Sequence, residues 1–297
     1  MSHFVTLTLL GTAQDAGLPQ AGCGCERCSL AHVDSSKIRF PVSLGIRGLD
    51  DSNHLIEVTR RLPAQLSEWA SSLGEKIPII PDSVTFTHLH LGHIEGLGQF
   101  GKPAMAMKDI PIYSTRKNID YLGKRSDFKL MVDDGNFNPV GIDFEQPFKP
   151  TKECGFTIEL IEIPHRNENG DTAGIIIRGP KNALLFLPDH DTWEETLIAT
   201  NSRNIREFFE KLQINEAWID GTFWNGEELS NRDMSKIPHP TIEESLMRLQ
   251  KKEYNDINVK FIHFNHTNPV CDDRSEEWQQ IKSKGWGIGR RGDVIKL

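Results

Sequence analysis

The segment Thr87-His88-Leu89-His90-Leu91-Gly92-His93 places three imidazoles within six positions, directly after the apolar run Val84-Thr85-Phe86. Alternate side chains of an extended segment point the same way. His88 and His90 therefore converge on one ion if the strand continues that far, and His93 reaches a neighbouring position where the chain turns. Neutral imidazole is the commonest metal ligand and suits zinc, iron and similar ions. A capping or surface histidine would account for one such residue, but poorly for three at a strand end. Other candidates stand just past apolar runs: His165 after 156–163, Asp189 after 183–188 and His263 after 259–262. Each alone has a bland explanation as a loop histidine, a helix N-cap or a satisfied core histidine. For Asp189 the N-cap reading is serious, because a helix is expected to begin near Thr192. Their shared placement at strand ends is where α/β sites assemble.

A second cluster is thiol-based. Cys23, Cys25 and Cys28 hold three of the five cysteines within six positions. Thiolates bind zinc well, and a closed tetrahedral site needs a fourth ligand beside these three. Gly22 and Gly24 let the backbone bend around an ion. The competing readings are free thiols or a strained local disulfide. The first ten residues lack a basic segment and alternate like a strand, so a cytoplasmic location with reduced thiols is expected. Cys154 and Cys271 read as packing residues.

The elements that must position these groups follow from hydrophobic patterning. Strands are expected at 4–10, 41–47, 54–59, 83–87, 110–114, 156–163, 173–178, 183–187, 217–220, 259–264 and 293–297. Helices are expected at 63–73, 116–124, 192–199, 204–212, 241–251 and 275–284. Strands interleaved with helices in both halves suggest sheets with helices packed outside. No repeat or composition break divides the 297 residues, so one domain spanning 1–297 is expected. The balance of 34 basic against 42 acidic residues gives −8, with no basic stripe, which excludes a nucleic-acid binder. No apolar run approaches the ~18 residues of a membrane span.

The ordered series His88, His90, His93, His165, Asp189 and His263 resembles the metal-ligand series of the metallo-β-lactamase superfamily. The resemblance implies an α/β (α+β) fold, a four-layer αββα sandwich of two face-to-face sheets with helices outside. It implies one metal on His88, His90 and His165, and a second on His93 and His263. Asp189 would bridge the two and hold or accept a proton from the attacking water. The blocks at 10–20, 220–224 and 263–269, with the cysteine triplet, resemble the B proteins of pyrroloquinoline quinone biosynthesis over roughly 7–270. The triplet followed by the histidines also resembles the cyclic-phosphate phosphodiesterases of phosphonate degradation. These likenesses supply His266 as the fourth ligand of one structural zinc with Cys23, Cys25 and Cys28.

One departure stands out. The superfamily usually has an aspartate where this chain has Gly92. Three readings stay open: a one-metal enzyme, a substitute carboxylate from Asp15, Asp191 or Asp220, or a weak site. His165 and Asp189 keep the hydrolase pattern at positions where the quinone-biosynthesis proteins depart from it. The expected function is a metal-dependent hydrolase of a small phosphodiester or related ester, with one or two Zn, Mn or Fe ions. The alternatives are an iron-dependent oxygenase like the quinone-biosynthesis proteins and a non-catalytic binding protein with a degraded second site. Asp15, Asp220 and His239 are candidate pocket residues. The expected partner is a small-molecule substrate rather than nucleic acid or membrane, with a homodimer left open.

Overall fold

Alternation decides which side of each strand becomes core. In β9 (Ala183–Leu187) Leu184 and Phe186 enter one apolar cluster, Leu185 and Leu187 another, and all five residues are buried. β9 is thus covered on both faces, as a strand inside a layered α/β fold must be. The structure is a computed structural model that describes residues 4–166, 170–229 and 233–297.

Two sheets share the chain. The first contains β1 (Thr6–Gly11), β2 (Ser43–Arg47), β3 (Asn53–Ile56), β4 (Ser83–Thr85), β5 (Ile110–Thr115) and β6 (Phe137–Ile142), in that order. β13 (Val294–Lys296) joins its β1 edge. The second contains β7 (Thr157–Glu162), β8 (Ala173–Arg178), β9, β10 (Glu216–Asp220), β11 (Asn258–Ile262) and β12 (Gly287–Ile288), in that order. Each sheet changes character across its width. β1, β2 and β3 pair antiparallel and β3 to β6 parallel, while β7, β8 and β9 pair antiparallel and β9 to β12 parallel.

Between the sheets lie Leu7, Leu9, Leu44 and Ile46 from one and Ile158, Ile175, Phe186 and Trp218 from the other. The outer face of the first sheet is covered by α2 (Leu62–Ser72), through Leu66 and Trp69, and by Leu122 and Phe128 of α4 (Arg116–Leu122) and α5 (Ser126–Asp133). The outer face of the second packs against α6 (Trp193–Ala199), α7 (Ile205–Lys211), α8 (Ile242–Leu249) and α9 (Glu276–Ser283). This is the expected four-layer αββα sandwich. Among the described residues no helix is long and apolar enough to cross a membrane.

Two local expectations change. The strand expected at 83–87 stops at Thr85, because β3 ends at Ile56 and the next residue, Glu57, turns left-handed at φ 65°. The freed chain crosses toward the second sheet, where the Thr87 carbonyl accepts from Ala173 N–H at 2.9 Å. His93 is then carried by a short helix, α3 (Leu91–Ile94). The cysteine segment also contains a helix absent from the sequence reading, α1 (Glu26–Val33), starting at Cys25.

Candidate metal centres

The chemistry-bearing residues collect at or just past the carboxyl ends of strands, most of them parallel-paired. Asp189 follows β9 by two residues, Asp220 ends β10, and His263 follows β11 immediately. The 87–93 loop follows β4, and His165 follows β7. Backbone carbonyls and amides run out at such ends, and the loops there are free to converge. Asp189 is not a helix cap. Thr192 caps α6, its Oγ1 accepting from Glu195 N–H at 3.0 Å, so the Asp189 carboxylate is left for the cleft.

The structure brings all of the sequence-derived candidates of this site together. Ligand atoms of His88, His90 and His165 lie within 4.8 Å of one another. So do those of Asp15, His93 and His263, and those of Asp189, Asp220, His239 and His263. Asp189 sits between the groups. Its Oδ2 is 3.0 Å from His93 Nε2, 3.3 Å from His263 Nε2 and 3.9 Å from His88 Nε2, and its Oδ1 is 3.8 Å from His165 Nε2.

Three of the imidazoles are aimed by a hydrogen bond at the other nitrogen, and a fourth faces a carboxylate. The Nδ1 atoms of His88 and His263 lie 2.8 Å from the hydroxyls of Thr87 and Thr222. His165 Nδ1 is 3.0 Å from Asp191 Oδ1, and His93 Nδ1 is 3.4 Å from Glu57 Oε2. Metal-binding histidines are held in this way, one nitrogen fixed to a neighbour and the other turned to the ion. The buried Nε2 atoms of His88 and His263 and Oδ2 of Asp189 make no hydrogen bond. Leaving such atoms unpaired costs about 1–3 kcal/mol each, a cost that a shared cation removes. These residues fit a metal centre.

Charge points the same way. Burial pushes the His88 pKa well below the usual histidine range, and repulsion from His93 adds to it. Burial also takes His90 down to about 4, with His165 contributing. Both rings are therefore neutral, the form that binds metal. At Asp189 burial favours the neutral acid, yet His263, His93 and His165 outweigh it and hold the carboxyl well below its usual range. Two rings go the other way. Burial opposes the charge of His93, but Glu57, Asp15 and Asp189 outweigh it and hold its pKa well above the usual histidine range. His239 is the second. Burial opposes its charge, but Asp220 at 2.7 Å and Asp189 at 3.5 Å raise its pKa to about 9. Of the non-glycine residues with left-handed backbone, Glu57 at φ 65° and His263 at φ 66° lie in this site. Such strain collects at functional sites.

The thiol cluster is complete. Cys23, Cys25 and Cys28 Sγ lie 3.7, 3.6 and 3.5 Å from His266 Nδ1. A tetrahedral zinc, with bonds of about 2.3 Å to sulfur and 2.05 Å to nitrogen, sets those atoms about 3.6 Å apart. All three cysteines are free, so the disulfide reading does not hold. Burial raises Cys28 to about 12, with Cys25 and Cys23 adding to it. Burial likewise opposes ionisation of Cys25, but hydrogen bonds led by the Cys28 backbone lower it. Three thiolates need a cation at their centre. A groove of about 610 Å³, lined by Cys25, Arg27, Lys37, Glu228 and Trp278 among others, opens beside this cluster and contains none of the active-site imidazoles.

The sequence profile of the beta-lactamase superfamily domain matches residues 64–264, two thirds of the chain. The chain belongs to the beta-lactamase superfamily. The matched span contains the histidine series but not the cysteine triplet or His266. Coenzyme PQQ synthesis protein B of Ruegeria pomeroyi is 23% identical over 98% of this chain and 99% of its own length. The corresponding protein of Rhodopseudomonas palustris is 25% identical over 97% and 98%. Among solved structures, Zn²⁺-bound PqqB from Methylobacterium extorquens covers 98% of this chain and 100% of its own, with TM-score 0.77 and 19% identity. A diphosphatase of the PhnP family covers 99% and 97%, with TM-score 0.65 and 18% identity. The fold is thus the metallo-β-lactamase fold, and the superfamily and PqqB-like resemblances of the sequence hold.

Sequence reading missed the groups that aim the ligands. Glu57 and His190 carry no motif of their own, and Thr87 and Thr222 lie inside the segments 87–93 and 220–224 but had no role assigned. His190 is fully buried, with Nδ1 2.9 Å from Thr196 Oγ1 and its N–H donating to Asp220. Only the placement of Thr87 and Thr222 beside strand ends could have marked them.

Proposed function

We propose that this protein is a metal-dependent hydrolase of small phosphodiesters or related phosphate esters. The observation that carries the reading is the ring of Nε2 atoms around Asp189. His88, His90 and His165 would hold one ion, and His93 and His263 a second, with Asp189 between them. Zn, Mn or Fe all suit imidazole and carboxylate donors. The separate cluster of Cys23, Cys25, Cys28 and His266 would hold a structural zinc. Similarity in fold to a PhnP-family diphosphatase supports the phosphate-ester class.

A bound ion in such a centre lowers the pKa of water to about 7 and polarises a phosphoryl oxygen. The chain supplies the rest. Asp189, anionic and buried, orients the attacking water and accepts its proton as the new P–O bond forms. His239, cationic at neutral pH, gives a proton to the departing alkoxide as the ester P–O bond breaks. Asp220 holds the His239 ring through Nδ1 and keeps it charged. Thr222 binds Asp220 and faces His263, so the acid and the second metal position share one support. Arg166 borders a small recess beside His88 and His90.

The test is a phosphodiester panel with Mn²⁺- or Zn²⁺-loaded protein, run beside oxygen-uptake measurements with Fe²⁺. Hydrolysis lost in His88→Ala and in Asp189→Asn is expected. Oxygen consumption without hydrolysis would replace this reading with the oxygenase one, and no turnover of either kind would leave a binding protein.

A further inference from the structure

The second metal position is short of an anionic ligand in sequence, since the residue beside His93 is glycine. Backbone geometry does not demand that glycine. Gly92 lies in α3 and is absent from the left-handed glycines, so any L-residue could adopt its φ. Space is what excludes a side chain. A Cβ at position 92 would fall 2.3 Å from Cγ, 2.4 Å from Cβ and 2.5 Å from Oδ1 of Asp15. The Asp15 carboxyl therefore occupies the volume that a side chain at 92 would fill.

We propose that Asp15 is the carboxylate ligand of the second metal position, delivered from the loop after β1 into the space left open by Gly92. This inference rests on the two-position centre described above. Asp15 Oδ1 lies 3.2 Å from His93 Nε2 and 3.6 Å from His263 Nε2. Asp189 Oδ2 faces the same two nitrogens at 3.0 and 3.3 Å. Donors about 2.05 Å from one ion, at angles of 90–110°, stand about 2.9–3.4 Å apart. Three of these four distances fall in that range and the fourth, from Asp15 to His263, exceeds it by about 0.2 Å, so two imidazoles and two carboxylates stand close to the spacing of one coordination sphere.

The ion-pair partners of Asp15 are these histidines, and no lysine or arginine competes among its described ion pairs. The other two carboxylates considered for this role are engaged elsewhere. Asp191 holds the back of the His165 ring at Nδ1, and Asp220 is bound by Thr222 and His239. The Asp15 loop is also fastened to the strand that delivers His263. Gln14 N–H donates to the Phe264 carbonyl at 2.9 Å, Phe264 N–H to the Thr12 carbonyl at 2.8 Å, and Ala13 bridges both Pro41 and Phe264. Two ligands from distant parts of the chain thereby move as one unit. With two carboxylates the position is harder than the three-histidine one, and it suits a divalent ion such as Mn²⁺, Fe²⁺ or Zn²⁺.

The test is metal titration of the full-length protein with its thiol-site zinc retained, read by elemental analysis and by calorimetry with Mn²⁺. Asp15→Asn should weaken the second active-site ion at least about 10-fold and leave the first unchanged. Gly92→Asp alone should not add occupancy, because its side chain meets Asp15. The exchange Asp15→Gly/Gly92→Asp should restore the second ion. Wild-type affinity for both ions in Asp15→Asn would overturn the assignment of Asp15 while leaving the two-position centre intact. A wild-type stoichiometry of one active-site ion, unchanged by His93→Ala, would remove the two-position centre itself and the inference with it.

Discussion

Cys25→Ser tests whether the thiol cluster is a structural metal site. The segment around it has little else to hold it. Its apolar cluster contains only Leu18, Cys28 and Ala31 as buried members, with Cys23, Cys25 and Ile38 packed at its edge. Burying one leucine and two small side chains contributes about 3–5 kcal/mol. Ordering costs about 1–2 kcal/mol per residue, so the turn around the thiols is not held by packing alone. An ion bound at a thousand times its Kd adds about 4 kcal/mol to the folded state. Removing one thiolate should therefore lower Tm by about 8 °C or more, at roughly 2 °C per kcal/mol for a domain of this size. Alternatively the loss appears as a separate early transition confined to this segment. The assay is a thermal melt of wild type, Cys25→Ser and His93→Ala, with zinc content measured on each. His88→Ala/His90→Ala should keep one tightly held zinc, and Cys25→Ser should lose it. A Cys25→Ser protein that keeps its zinc, or that melts with His93→Ala, would refute the structural role.

Other outcomes follow from single contacts. Asp191→Ala removes the carboxylate that fixes His165 Nδ1, and affinity for the three-histidine ion should fall about 10–100-fold by metal titration with the thiol zinc unaffected. Leu187→Ala opens a cavity between β9 and the helices outside it; denaturant unfolding should show a loss of about 2–5 kcal/mol with metal stoichiometry unchanged. Burial raises the Glu228 pKa from 4.5 to about 7. A carboxyl raised in the folded state binds its proton more tightly there than in the unfolded chain. Its contribution to stability therefore falls as pH rises from about 4.5 to about 7, by up to about 3 kcal/mol. Glu228→Gln should remove that fall, so the variant gains on wild type between pH 5 and pH 8 in chemical denaturation.

What the sequence revealed and what it hid divide along physical lines. β9 was legible because its run is apolar and buried on both faces, β10 because Ala217, Trp218 and Ile219 are buried, and β11 because Val259, Phe261 and Ile262 are, and the residues at or just past their ends inherit a strand-end position. β6 was not, because it is an edge strand interrupted by Pro139 and Gly141, where the ladder makes fewer demands on side-chain type. α1 was hidden for a related reason: only Cys28 and Ala31 of its eight residues are buried, too few for a helical stripe. The histidine loop was legible as a cluster of imidazoles but not as geometry. Its strand ends early because Glu57, just past the neighbouring strand β3, turns left-handed and then accepts from Thr87 N–H through its side chain. No local pattern around Thr87 encodes that event.

Gly92 shows the limit most sharply. In the sequence it is a missing carboxylate, and Asp15, Asp191 and Asp220 are equal substitutes because each lies near a strand end. In the fold the three are unequal, because Asp191 and Asp220 are bound to His165 and His239 while Asp15 fills the volume at position 92. A glycine and an aspartate from different segments form one complementary pair, and complementarity of that kind is a property of packed volume rather than of spacing. The same argument says how the pair can be altered. Position 92 does not tolerate a side chain alone, since Gly92→Ala already drives a Cβ into Asp15, whereas shortening Asp15 first should make position 92 permissive. Gly92→Ala should therefore destabilise the wild-type protein by about 1–3 kcal/mol, the usual cost of overpacking, and cost markedly less in an Asp15→Gly background. Equal costs in both backgrounds, measured by denaturant unfolding with metal removed, would mean that the two residues do not compete for one space.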